Sequence, residues 1–191
     1  MKKEKSVFMM PKPVSINGRS STITNAFVNG IIPIIEPSDK EIEEALETLG
    51  MTKESICCAY CGDTYTEWDH FRPLIYDKGP TGYISEIHNL VPACGKCNQS
   101  KGNKEWKKWM FSDATLSPKS RGIKDIDERC KKLEEYELRY EPVKLDFEMI
   151  VGKELWNRHW KNHKELLDLM KSCQDTSNEI KEKILSELEK R

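Results

Sequence analysis

No apolar run in these 191 residues approaches the roughly 18–20 that a membrane-spanning helix needs, so no membrane partner is expected. Charge of one sign is also lacking. The net value is −1, which by itself gives no reason to expect a nucleic-acid partner. An export leader is missing as well: Lys2, Lys3 and Lys5 precede an apolar stretch of only Val7–Met10, which then meets Pro11 and Pro13. The expectation is a cytoplasmic protein. Internal repeats and low-complexity blocks are absent, which excludes solenoids and biased linkers. With 37% hydrophobic and 33% charged residues, the chain has enough apolar content to fold.

The small net charge hides a patterned one. Residues 1–35 carry Lys2, Lys3, Lys5, Lys12 and Arg19 against Glu4 alone. Residues 95–124 carry eight basic residues against Glu105 and Asp113, whereas residues 36–56 carry seven acids against Lys40 and Lys53. Two basic stretches are therefore available to meet phosphates, although ordinary surface charge accounts for either one alone equally well.

Four prolines together with Asn17-Gly18 and Asn29-Gly30 make residues 11–37 read as an irregular arm. Ser38-Asp39-Lys40-Glu41 is a capping box, followed at helical spacing by Ile42, Ala45, Leu46 and Leu49 and stopped by Gly50. Further on, Ile126, Cys130, Leu133 and Tyr140 mark a helical stripe that ends before Pro142. A longer helical stretch runs from Phe147 to Met170 with Gly152 as a break, and Ser177 begins a last charged helix. The expected division is residues 1–56 as an arm and helix with possible DNA contact, 57–112 as the chemical module, and 113–191 as a helical region.

The seven cysteines are an odd number, and four form two pairs, Cys58-Ala59-Tyr60-Cys61 and Cys94-Gly95-Lys96-Cys97. Two-residue spacing lets both thiolates of a pair reach one metal, and two pairs complete a closed tetrahedral site of the structural zinc kind. A single such pair could instead be a redox thiol, but two favour zinc. Cys57 is the one rival ligand, Cys130 reads as a core thiol, and Cys173 has no assignment.

Between the pairs, and overlapping the second, lie Trp68-Asp69-His70-Phe71-Arg72-Pro73-Leu74, His88-Asn89-Leu90-Val91-Pro92 and Cys97-Asn98-Gln99-Ser100-Lys101-Gly102-Asn103-Lys104. Here the sequence resembles the HNH nucleases: Asp-His ending a first strand, a central Asn, and a final His or Asn nine residues on, within a metal-binding helix. Asn89 and Asn98 have that separation. The last position is Asn, as in the HNH module of CRISPR effector nucleases, and flanking cysteine pairs are a familiar variant. The resemblance implies an α+β fold, a small ββα-metal module braced by the four-cysteine site and surrounded by helices. The expected hairpin leads from Cys61 to His70, with a helix then carrying Asn98 and Lys101. A longer run, from Ser20-Ser21-Thr22 through Thr-Gly-Tyr-Ile-Ser-Glu-Ile to Lys-Gly-Asn-Lys, is similar to bacterial HNH restriction endonucleases.

The residue types suit phosphodiester hydrolysis, which needs an activated water, a cation on the phosphate and a stabilised leaving oxygen. The resemblance implies that His70 is the general base, that Asp69 and Asn98 hold a catalytic Mg²⁺ (or Mn²⁺), and that Asn89 orients the site. Carboxylate and amide oxygens suit such a hard ion. Lys101, Lys104 and Arg72 beside the site are candidate phosphate contacts. His88, although adjacent to Asn89, reads as structural or exposed. His159 and His163 lie four apart but lack a companion carboxylate motif. Trp106 and Trp109 read as packing residues.

The leading expectation is a type II-like restriction endonuclease acting on double-stranded DNA, with a homodimer for a palindromic target. Within the same class the alternative is a phage, mobile-element or antiphage HNH nuclease. From another class it is a zinc module that binds nucleic acid without cutting it.

Overall fold

A computed structural model describes residues 11–65 and 67–190. Lys2, Lys3 and Lys5 of the basic N-terminal stretch lie outside these residues. The chain forms two compact units. One is Val28–Val151; the other brings residues 11–27 together with residues 152–190.

In the second of these, helix α1 (Ser20–Asn29) replaces the expected irregular arm. Ser and Thr are weak helix formers, so local propensity does not announce this helix; contacts far along the chain hold it. The Phe27 ring packs 5.1 Å from that of His159 and 5.0 Å from that of His163. Thr24 Oγ1 lies 3.0 Å from His163 Nε2, and His159 Nε2 donates to the Phe27 carbonyl at 3.1 Å. The two histidines are thus packing residues.

Within Val28–Val151, α2 (Asp39–Thr48) begins at the capping box: Ser38 and Glu41 exchange side-chain and backbone bonds. Ala45 and Leu46, with Leu49 just beyond the helix, go into the core. Strand β1 (Glu67–His70) follows the first cysteine pair. A two-strand hairpin comes next, β2 (Ile75–Tyr76) and β3 (Gly79–Pro80), turning through Asp77 and Lys78 at φ 46° and 65°. Positive φ at both central positions is the geometry that matches the strand twist in two-residue turns.

Strand β4 (Leu90–Ala93) pairs antiparallel with β1, Glu67 opposite Ala93 and His70 opposite Leu90. The sheet of β1 is therefore completed by a partner twenty residues further along, in place of a hairpin between Cys61 and His70. The alternation of β1 carries no information about its partner, since pairing is long-range. Pro92 is tolerated because a two-stranded sheet has only edges.

Helices α3 (Gly95–Lys101), α4 (Trp106–Met110) and α5 (Ile126–Arg139) complete the core. Phe71 stacks on Trp106 at 5.0 Å and meets the edge of Tyr136, while Tyr60 meets the edge of Trp109 at 5.2 Å. All five of these rings are buried, which confines Trp106 and Trp109 to packing. Cys130 and Leu133 of α5 are buried with them.

The last helices are α6 (Phe147–Val151) and α7 (Lys153–Leu188). Gly152 breaks them apart at φ 81°, a backbone region that favours glycine. No boundary exists at Ser177: α7 runs through it for 36 residues. Ser177 bonds the Cys173 carbonyl at 2.9 Å, a local bond that serine makes within a helix as readily as at a cap. No helix of the described residues is long and apolar enough to cross a membrane.

Candidate active site

The sulfurs of Cys58, Cys61, Cys94 and Cys97 all lie within 4.8 Å of one another, and all four residues are buried. Cys61 and Cys94 approach to 3.7 Å, close to the edge of about 3.8 Å that a tetrahedron with zinc–sulfur bonds of about 2.3 Å requires. The donor set fits zinc, and Cys57 stays outside it. Four thiolates on one Zn²⁺ leave a charge of −2, and two arginines lie against it. Arg121 Nη2 donates to Cys97 Sγ at 2.8 Å, and Arg129 Nη1 to the Cys58 carbonyl at 3.3 Å. Gly62, at φ 76°, makes the second approach possible: a Cβ there would lie 2.2 Å from Arg129 Nη2. Neither arginine carries a signal in the sequence, because each lies far downstream of the knuckle.

This knuckle sets the two ends of the segment between the cysteine pairs. Ala59 N donates to the Pro92 carbonyl at 2.8 Å, which ties the first cysteine pair to β4. Cys94 caps α3, so the helix that carries Asn98 and Lys101 starts at a metal ligand.

Asp69 and His70 are consecutive in β1, so their side chains leave opposite faces of the strand. Asp69, 4% exposed, turns inward. Its Oδ2 accepts from the Tyr60 hydroxyl at 2.6 Å and from Lys101 Nζ at 2.9 Å. Among the described residues no hydrogen bond goes to Oδ1. Burial raises the Asp69 carboxyl and lowers the Lys101 ammonium, while their mutual attraction opposes both shifts. Burial likewise pushes the Tyr60 hydroxyl well up, with the Asp69 charge adding to it. Tyr60 therefore acts as a fixed donor. Sequence reasoning missed it because a tyrosine inside Cys-x-x-Cys reads as spacer.

Lys101 departs from its expected role. Its side chain is 0% exposed, and besides Asp69 its ammonium donates to the His70 carbonyl at 2.8 Å. It is a buried tie between α3 and the end of β1 and offers no charge to a phosphate. Asn98 lies one turn earlier on the same helix face. It is half-buried, and its side chain has no partner among the described residues. Lys104 is exposed and donates to the carbonyls of Ser100 and Lys101 at the end of α3.

His70 Nε2 lies 2.7 Å from Ser85 Oγ. Burial first, then the Lys101 charge, lowers the imidazole below its ordinary 6.5 and so favours the neutral ring. Asn89, 0% exposed, clasps the turn after it. Its Oδ1 accepts from Arg72 N at 2.8 Å, and its Nδ2 donates to the carbonyls of Arg72 at 3.1 Å and Ile84 at 3.3 Å. Arg72 itself pairs with Glu137 at 3.1 Å, and its Nη1 is buried without a partner among the described residues. His88 stacks on Tyr140 at 4.6 Å, a structural position.

The family profile described as HNH endonuclease matches residues 58–104. The chain is 38% identical over 61 residues to the CRISPR-associated endonuclease Cas9 of Corynebacterium diphtheriae. That alignment covers 30% of this chain, which spans only 5% of the length of that relative. No solved structure matches. The stretch from Cys58 to Lys104, which runs three residues past the end of α3, thus carries an HNH endonuclease domain.

Proposed function

We propose that this chain is a metal-dependent DNA endonuclease of the type II-like restriction kind. The observation that carries the reading is the half-buried His70 at the end of β1, next to Asp69 and with its Nε2 2.7 Å from Ser85 Oγ. A neutral imidazole accepts a proton from water. The water oxygen then bonds to phosphorus, the bond to the 3′ oxygen breaks, and that oxygen takes a proton. The products are a 5′-phosphate and a 3′-hydroxyl.

Asp69 and Asn98 are the proposed holders of the catalytic cation. The Oδ1 of Asp69 and the side-chain oxygen of Asn98, neither hydrogen-bonded among the described residues, are hard oxygen donors, which suit Mg²⁺ or Mn²⁺ better than a soft ion. Such an ion supplies charge neutralisation at the phosphate and the leaving oxygen. Asn89 orients the turn that follows His70. Arg72 and Lys104 are the proposed phosphate contacts. Each site cuts one strand, so a palindromic duplex target calls for a homodimer.

Incubating the purified protein with plasmid and Mg²⁺ gives discrete bands under this reading. A smear or single nicks points to a weakly specific HNH nuclease. DNA binding with no cleavage in any divalent metal rejects catalysis in favour of a binding module.

A further inference from the structure

The chemistry assigned to His70 needs one ring nitrogen free for the proton, and a neutral imidazole carries its hydrogen on only one of its two nitrogens. The hydrogen bond made by one nitrogen therefore decides which one is basic. Here the contact is Nε2 with Ser85 Oγ at 2.7 Å. We propose that Ser85 is the positioning residue of the site: its hydroxyl accepts from Nε2–H, fixes the ring, and leaves Nδ1 as the nitrogen that takes the proton. The inference rests on the reading of His70 as general base.

Ser85 is itself built into place. Its N–H donates to the Pro33 carbonyl at 3.1 Å, and its carbonyl accepts from Ile35 N at 2.8 Å. A strap from outside the matched HNH segment thus engages both main-chain groups of Ser85. One residue earlier, the Ile84 carbonyl accepts from Asn89 Nδ2, whose Oδ1 accepts from the N–H of Arg72, two residues past His70. Asn89 therefore joins the backbone just after His70 to the backbone just before Ser85. That closes a ring of bonds around the 2.7 Å contact. A serine on an unsupported loop would leave the imidazole free to rotate; this one does not.

The test uses the full chain with Mg²⁺ and a cleavable duplex under single-turnover conditions. Ser85→Ala is expected to lower the maximal cleavage rate roughly 10–100-fold, less than the ~10²–10⁴ attached to losing a general base outright. Substrate affinity should stay unchanged, because Ser85 meets the nitrogen that faces away from the reaction. Ser85→Thr, which keeps the hydroxyl, restores the rate to within a few-fold.

Nitrogen-15 NMR of the imidazoles reads the tautomer independently of cleavage and of whether Ser85→Ala folds. Wild-type His70 should carry its hydrogen on Nε2. A His70 protonated on Nδ1, or a folded Ser85→Ala that cuts like wild type while His70→Ala is inactive, overturns the role of Ser85. If His70→Ala also cuts like wild type, the base assignment itself has failed.

Discussion

The ammonium of Lys101 bridges Asp69 Oδ2 at 2.9 Å and the His70 carbonyl at 2.8 Å, so one buried cation joins α3 to two consecutive residues of the nuclease motif. The motif is thereby cross-braced through the interior. The residue that the sequence offers as a surface charge is one of its interior supports.

Removing that support has a measurable consequence. Lys101→Met leaves the Asp69 carboxylate buried beside Tyr60 without its counter-ion, which costs about 3–5 kcal/mol in such pairs. Urea unfolding should show that loss. Adding Asp69→Asn to the same chain should recover part of it, because the uncompensated charge is then gone. A Lys101→Met variant as stable as wild type contradicts the ion pair.

Zinc content tests the knuckle. Elemental analysis should find one zinc per chain, and Cys58→Ser or Cys97→Ser should abolish it together with the cooperative unfolding transition. Arg121→Ala removes the donor to Cys97 Sγ, and zinc affinity should fall by about tenfold or more. Zinc release should set in as pH falls, since protons compete with the metal for thiolates. Full retention of zinc in Cys97→Ser contradicts the site.

The pH profile of cleavage follows from His70. Its imidazole is lowered below 6.5 by burial and the Lys101 charge, and as the proposed base it must be deprotonated to act. The rate should therefore rise with pH through a midpoint below 6.5 and be flat by neutrality. The sign for stability is the same. A histidine whose folded value is depressed contributes stability that is present above 6.5 and is lost as pH falls. A profile whose rising limb lies above pH 7 contradicts His70 as the base.

Lys104 and Lys101 should separate in DNA binding. Lys104→Ala removes an exposed charge, so binding by a His70→Ala background should weaken and its slope against log salt should fall by about 1. Stability should shift by no more than about 0.5 kcal/mol. If the salt slope is unchanged, Lys104 is only a cap for the carbonyls at the end of α3.

Much of the site was legible because its chemistry is carried by short spacings. Two thiolates three positions apart reach one metal wherever the loop goes, and Cys58, Cys61, Cys94 and Cys97 do converge. The Ser38 cap was legible for the same reason, since it depends on neighbours within a few residues. The roles of Ser85, Tyr60, Arg121 and Lys101 were not. Ser85 meets His70 across 15 residues and Arg121 meets Cys97 across 24, and no local pattern encodes such distances. Lys101 was misjudged because lysine is rarely buried without a partner, and its partner lies 32 residues away in β1.

Sequence alone therefore determined the four-cysteine frame, since spacing and residue type are sufficient for it, while the HNH module was readable through the resemblance that its motif residues carry. Only the tertiary structure decided that β1 pairs with β4, that α1 is a helix, and which way the charged side chains near His70 face. Those outcomes depend on which distant surfaces exclude water together, and burial of that kind is a property of the folded chain and not of any segment of it.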